Sequence, residues 1–343
     1  MMHEPVVAAR KNMNLTAAKK AKMDEFYTRL TDVEKELMHY TEHFADKTVY
    51  CNCDDPRGSA FFRHFVLNFN RLGLKRLITT NYTGGLRGGP AVKIDIREMI
   101  DYNGDDRVDL DDAAWLMEYG GVATPLIGDG DFRSPECVAL LKQADIVVTN
   151  PPFSLFREYI AQLMEYGKKF VIIGNKNAVT YKDVFKFIKE DKLWVGYTPM
   201  GTDMLFGVSA EYAAELAETR KQGSSYRVVD GVVMGRAQAC WFTNLDTPKR
   251  HEKMYFYKRY SPEEFPKYDN YDAINVDKVA HIPEDYDGVM GVPITFLDKY
   301  NPEQFQVLGI DRYIEDNPLP GKRFTMNGKE VYARIVVRRR NQS

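Results

Sequence analysis

An apolar, β-branched run, Ile146-Val147-Val148-Thr149, ends abruptly in Asn150-Pro151-Pro152-Phe153, and a helical pattern begins at once. A run without polar alternation reads as a central strand covered on both faces. Two consecutive prolines cannot extend it, because neither donates to a ladder. They impose a stiff, extended loop at its carboxyl end. Strand and helix patterns alternate around this point. Lys47–Cys51 precedes a helical pattern over Ala60–Leu72, and Leu77–Thr80 reads as a second strand. Beyond the loop come a helix over Phe156–Tyr166, a strand over Lys169–Gly174 and a helix over Tyr181–Glu190. The order predicts an open α/β sheet, in which ligands are handled at the carboxyl ends of the strands.

The loop suits one chemical task. The exocyclic amine of adenine is a poor nucleophile, because its lone pair is conjugated into the ring. A protein acting on it must accept hydrogen bonds from both N–H protons and draw the lone pair out of conjugation. Asn150 offers a side-chain carbonyl, Pro151 a backbone carbonyl fixed by its ring, and Phe153 an aromatic face for a flipped base. The plainer alternative is a rigid strand-to-helix turn with a buried Phe.

The chain's 343 residues exceed the usual size of one core, so a large α/β domain with a smaller region is expected. Four cysteines include no C-x-x-C pair, which argues against a zinc ribbon or a disulfide framework. No apolar run approaches membrane-spanning length and no signal-peptide pattern is present, so a cytoplasmic protein without membrane contact is expected. A net charge of −2 does not advertise a polyanion partner. Nucleic-acid contact would need local basic patches.

Several stretches together resemble the EcoRI-type adenine-specific DNA methyltransferases. They are Asp24-Glu25-Phe26-Tyr27-Thr28, Cys51–Ser59, Gly128–Arg133 leading towards Val148–Phe156, Lys169–Ala178 and Cys240–Leu245. The resemblance runs from about Lys22 to the C-terminus. It implies an α/β, Rossmann-like methyltransferase sheet of seven strands with an antiparallel last pair, followed by a C-terminal target-recognition region. It implies S-adenosylmethionine as cofactor and double-stranded DNA as partner; the oligomeric state stays open, a monomer being favoured over an assembly. Asn150, Pro151, Pro152 and Phe153 match the family's catalytic loop. Phe26, Tyr27 and Thr28 match a segment over the methionine end of the cofactor. Asp54, Asp55, Pro56 and Gly58 match the first cofactor loop. Asp131 matches the acid that accepts from the cofactor's adenine amine, with Phe132 beside the ring. Two departures stand out. The first loop lacks a fuller Gly-x-Gly, which leaves open whether Asp54 or Asp55 makes contact. The second strand ends in Thr80-Asn81 instead of the usual ribose-binding acid, so ribose contacts stay unassigned. Alternative readings are a methyltransferase for RNA adenine, one for a protein glutamine amide, or a catalytically silent DNA-binding relative. Glutamine enzymes usually carry Tyr at the position of Phe153.

The expected organisation is an N-terminal helical segment (1–46), a catalytic domain (47–245, with insertions near 83–125 and 200–236) and a DNA target-recognition region (246–343). Candidate phosphate contacts are Lys221, Arg227 and Arg236, then Lys249 to Arg259, then Lys322, Arg323, Arg334 and Arg338–Arg340. The acidic stretch Asp101–Asp112 sets Asp101, Asn103, Asp105, Asp109 and Asp112 at loop positions 1, 3, 5, 9 and 12, the register of a calcium loop. Position 6 is Asp106 where Gly is usual. The alternative is a solvated acidic loop.

Overall fold

The predicted strand runs form a sheet with its core at the centre. The computed structural model describes residues 27–53, 55–83, 90–315, 317 and 320–340, and of Tyr27 only the backbone. The chain divides into two compact units: the described residues up to Gly174 with Asp203–Gln238, and Asn175–Thr202 with the described residues from Ala239.

The first unit opens with β1 (Tyr27–Thr28) and α1 (Leu30–Leu37). Its sheet strands and their connecting helices follow. They are β2 (Thr48–Cys51), α2 (Ala60–Leu67), β3 (Arg76–Thr80), β4 (Val92–Ile96), α3 (Leu110–Tyr119), β5 (Ala123–Pro125) and α4 (Pro135–Gln143). Next come β6 (Ile146–Thr149), α5 (Phe156–Glu165) and β7 (Lys169–Asn175). The strands lie side by side in the order β5-β4-β3-β2-β6-β7. β3, β2, β6 and β7 are mutually parallel, whereas β4 and β5 extend the edge antiparallel. Every residue of β2 and β6 is buried, as the unbroken apolar runs require. From β2 the chain crosses over to β3 on one side. From β6 it crosses over to β7 on the other. The order therefore reverses between β2 and β6, which is where a crevice opens in such sheets.

The second unit holds α6 (Lys182–Lys189) and β8 (Trp194–Val195). The polar stretch that follows, expected as an insertion, belongs to the first unit and is structured. It contains β9 (Met204–Gly207), α7 (Ala210–Thr219), β10 (Tyr226–Val229) and β11 (Val232–Ala237). With β1 these strands form a second sheet in the order β1-β9-β11-β10. Asp230 and Gly231 carry positive φ angles of 51° and 78°, as the two-residue turn of this hairpin demands.

In the second unit β12 (Ala239–Thr243) pairs antiparallel with β8, setting Phe242 opposite Val195 and Thr243 opposite Trp194. Four more strands are β13 (Ile274–Asn275), β14 (Met290–Pro293), β15 (Phe305–Ile310) and, after a small hairpin, Arg334–Arg339. They form a sheet in which the last strand lies between β14 and β15. Among the described residues, no helix is long and apolar enough to cross a membrane.

Candidate active site

Three loops stand at the carboxyl ends of β6, β2 and β3, where the strand order reverses, and one helix ties them together. The β6 loop comes first. Pro151 is buried, and Asn150, Pro152 and Phe153 are half-buried. Pro152 keeps extended backbone (φ −56°, ψ 126°), and a single 3₁₀ turn over Phe153–Leu155 leads into α5. Phe156 anchors that start. Its ring lies against Gly174 of β7, where an added Cβ would come within 2.3 Å of the ring.

The β2 loop comes second. Asp55 uses one carboxylate oxygen on the Arg57 N–H (3.0 Å), and its carbonyl accepts from Gly58 and Ser59. Ser59 Oγ caps α2, accepting from the N–H groups of Phe61 and Phe62 (3.1 Å each). Pro56 is buried and Gly58 half-buried. Asp54 lies outside the described residues, as does Phe26.

The third loop follows β5. It is stapled to the end of β3: Thr83 N–H donates to the Asp129 carbonyl (2.8 Å). Gly130 (φ +83°) presses so closely on the Asn81 carbonyl that a Cβ would sit 1.9 Å from it. No side chain fits there. Asp131 follows at once. Its Oδ1 accepts from Arg133 N–H (2.8 Å) and Arg133 Nε (2.9 Å), and its Oδ2 from Arg133 Nη2 (2.6 Å). The Arg133 guanidinium holds the Asp131 carboxyl below the usual carboxylate range. Asn81, at the position of the usual ribose acid, serves the sheet. Its Oδ1 accepts from Val92 N–H (2.8 Å) and its amide donates to Pro90 O (3.3 Å).

The helix that ties them is α5. The sequence pattern marks Phe156, Ile160 and Leu163 on its inner face but not Tyr159, which the same spacing includes. Tyr159 is fully buried. Its hydroxyl donates to Asn52 Oδ1 in the β2 loop, and its ring meets the buried Phe132 edge-on at 5.0 Å. Gln162, one turn on, donates to the Phe132 carbonyl (3.2 Å). Helix α5 thus grows out of the Asn150 loop and grips both of the others.

Thr28 lies in β1, paired with Phe206 of β9. Its Oγ1 is buried and has no hydrogen-bond partner among the described residues. A buried hydroxyl in that state fits a segment completed by a ligand.

The acidic loop departs from the calcium expectation. Its oxygens are used by backbone N–H groups. Asp101 accepts from Gly104, Asp105 and Asp106, Asn103 from Asp105, Asp105 from Arg107, and Asp109 from Asp111. Asp112 accepts from Asp109, Tyr102 and Asn103, which hold its carboxyl below the usual range. Asp109 and Asp112 form a reciprocal cap for α3. Asp106 does adopt the left-handed backbone (φ 64°). Among the described residues no group of three or more His, Cys, Asp or Glu side chains could hold a metal ion. Calcium is therefore not supported. The spacing that suits a cation also suits a series of Asx turns ending in a capped helix.

Many candidate phosphate contacts are engaged within their own unit. Arg227 and Arg236 both pair with Asp203. Arg250 lies over Trp194 (3.6 Å) and pairs with Asp191. Arg334 is buried and donates to Asn275. The final strand runs through Arg338 and Arg339. Arg339 lies over Phe256 (5.2 Å) and donates to Pro283 O, and Arg340 Nε donates to Pro302 O. Arg338 is exposed and lines a cleft of about 940 Å³ in the second unit, where Lys189 pairs with Glu315 and Lys267 with Asp272.

A family model described as adenine-specific methyltransferase EcoRI matches residues 14–340. The chain belongs to this family. As a member of the EcoRI methyltransferase family it is 45% identical over 333 residues to the type II methyltransferase M.EcoRI of Escherichia coli, covering 95% of this chain and 96% of that one. It is 36% identical over 340 residues to M.MgeORF184P of Mycoplasma genitalium, covering 94% and 97%. It is 35% identical over 342 residues to M.MpnI of Mycoplasma pneumoniae, again covering 94% and 97%. No solved structure matches it.

Proposed function

We propose that this member of the EcoRI methyltransferase family is a site-specific DNA methyltransferase acting on adenine N6, the modification half of a restriction–modification pair. The observation that carries the proposal is an Asn-Pro-Pro-Phe loop at the carboxyl end of β6, beside the β2 loop, where the strand order of the sheet reverses. S-adenosylmethionine, when bound, supplies the methyl group from its sulfonium. The residues present suit it. Asp131 is an ionised acceptor beside buried Phe132, and Thr28 Oγ1 is an orphan in the covering segment.

In this reading the target adenine leaves the DNA stack and enters the crevice. The Asn150 side-chain carbonyl and the Pro151 carbonyl accept from the two N6 protons, which frees the lone pair for attack. Phe153 stacks on the base and fixes its plane. Pro152 keeps the loop extended. Catalysis is then positioning plus electrostatics. The second unit would hold the DNA, with exposed Arg338 among the residues facing it. Sequencing DNA from cells that express the protein tests the reading. The expected result is N6-methyladenine within one short motif, absent when Asn150→Ala is expressed. Unmodified DNA, or methylation that persists with Asn150→Ala, would refute it.

A further inference from the structure

The third loop holds an ion-pair network around Asp131 whose other members, Arg133 and Glu158, have no role in the reaction as proposed. Arg133 forks onto Asp131 through Nε and Nη2, and its remaining edge, Nη1, reaches Glu158 Oε2 on α5 at 3.0 Å. A carboxylate has about four acceptor positions, two on each oxygen. Asp131 Oδ1 accepts twice from Arg133, through N–H and Nε, and Oδ2 accepts once. One position is left, on Oδ2. The neighbouring Asp129 carboxylate cannot compete for it as a donor. Its Oδ1 accepts from the Asp131 N–H (3.0 Å) and fixes the backbone beneath.

We propose that Arg133 is a positioning residue for the cofactor: its fork, anchored by Glu158, turns the single remaining acceptor position of Asp131 towards the adenine amine of S-adenosylmethionine. The inference rests on the assignment of Asp131 to that amine and adds what aims it. Without the fork only the backbone N–H of Arg133 restrains the carboxylate, which can then rotate about its χ2 torsion. Glu158 lies two positions beyond Phe156, so the aim is linked to the helix that leaves the Asn150 loop. The charged groups of the network are Asp129, Asp131, Arg133 and Glu158, and three of the four are acidic. Removing the guanidinium therefore leaves uncompensated negative charge and raises the carboxyl's affinity for protons.

The test is calorimetric binding to the full-length protein of two probes, S-adenosylhomocysteine and its 6-oxo counterpart, S-inosylhomocysteine. The first offers an amine donor to Asp131, whereas the second presents an oxygen. The parent should prefer the adenosyl compound. Arg133→Ala should cut that preference roughly tenfold, the worth of one well-aimed charge-assisted hydrogen bond. In the parent, binding should hold as pH falls. In Arg133→Ala it should weaken on approach to the ordinary carboxylate range, at about pH 4–5. Arg133→Lys restores charge without the fork. It should recover the low-pH binding and not the preference, a split that loss of folding cannot produce. Glu158→Gln, which leaves the fork in place, should lower the preference by less. Parent-like preference in Arg133→Ala overturns the proposal, provided Asp131→Ala loses it. If Asp131→Ala also keeps the preference, the Asp131 assignment fails and the proposal falls with it.

Discussion

Replacing Tyr159 by Phe removes one oxygen from the centre of the site and leaves the ring contact with Phe132 in place. The hydroxyl donates to Asn52 Oδ1, and both side chains are buried, at 0% and 2% exposure. Removing a buried donor leaves its acceptor unsatisfied, at a cost of about 1–3 kcal/mol. The lower half of that range is expected, because Cys53 Sγ stays within 3.7 Å of the same oxygen and offers a weak donor. Urea unfolding of Tyr159→Phe, Asn52→Ala and the double variant gives a cycle. The double variant should be more stable than the sum of the singles requires by about 1 kcal/mol, well outside the 0.3–0.5 kcal/mol scatter of independent sites. Affinity for S-adenosylhomocysteine should fall in both single variants, since each frees the β2 loop from α5. Additive singles, or a Tyr159→Phe variant as stable as the parent, would mean that the hydroxyl does not tie the loops together.

Asn150→Ala should abolish methylation and keep affinity for S-adenosylhomocysteine near that of the parent, measured by calorimetry. Phe153→Ala should lose ~1–3 kcal/mol of stacking on a flipped base, while Phe153→Trp keeps much of the activity; equal activity in the two would make the ring structural. Burial, aided by Arg71, lowers the pKa of His64 to about 4, so the unfolded chain binds its proton first as pH drops. Stability should therefore fall from about pH 6.5 to about pH 4 more steeply in the parent than in His64→Phe, followed by urea midpoints. Calcium and chelator should leave the thermal midpoint and the proteolysis of the 101–112 loop unchanged, because backbone N–H groups already use its oxygens; a rise of several degrees in calcium would contradict this.

The sheet and its central loop were legible because their signals are local. Four β-branched or apolar residues followed by two prolines admit little else, and β6 starts and stops where that pattern predicts. Tyr159 went unread although it stands at helical spacing from Phe156 and Leu163, because aromatic residues on an inner face look alike until their partners are known. Asn81 could not be read. Its capture by Val92 and Pro90 depends on the register of the β3–β4 hairpin, and only that register shows what it does in place of the ribose acid. The 200–236 stretch looked polar and shapeless because its partner strand, β1, lies near the other end of the chain. Yet Val-Val-Asp-Gly-Val-Val was a hairpin signal in plain view. The C-terminal arginines read as one charge run, whereas the strand separates them: Arg338 is exposed and Arg339 finds two aromatic rings.

The two units are interleaved along the chain, and this bears on how the protein is made. Thr28 meets its strand partner only when Phe206 has been synthesised, which at ordinary elongation takes roughly ten seconds or more. Residues 175–202, which leave the ribosome in the meantime, belong with a unit completed only later, by the chain beyond Ala239. A nascent chain stopped at Thr202 therefore has neither unit whole, and no single cut releases either one intact. Premature termination should yield material for proteolysis instead of a half-enzyme that holds cofactor, and a split version of the protein would have to be rejoined across three chain crossings, at 174/175, 202/203 and 238/239.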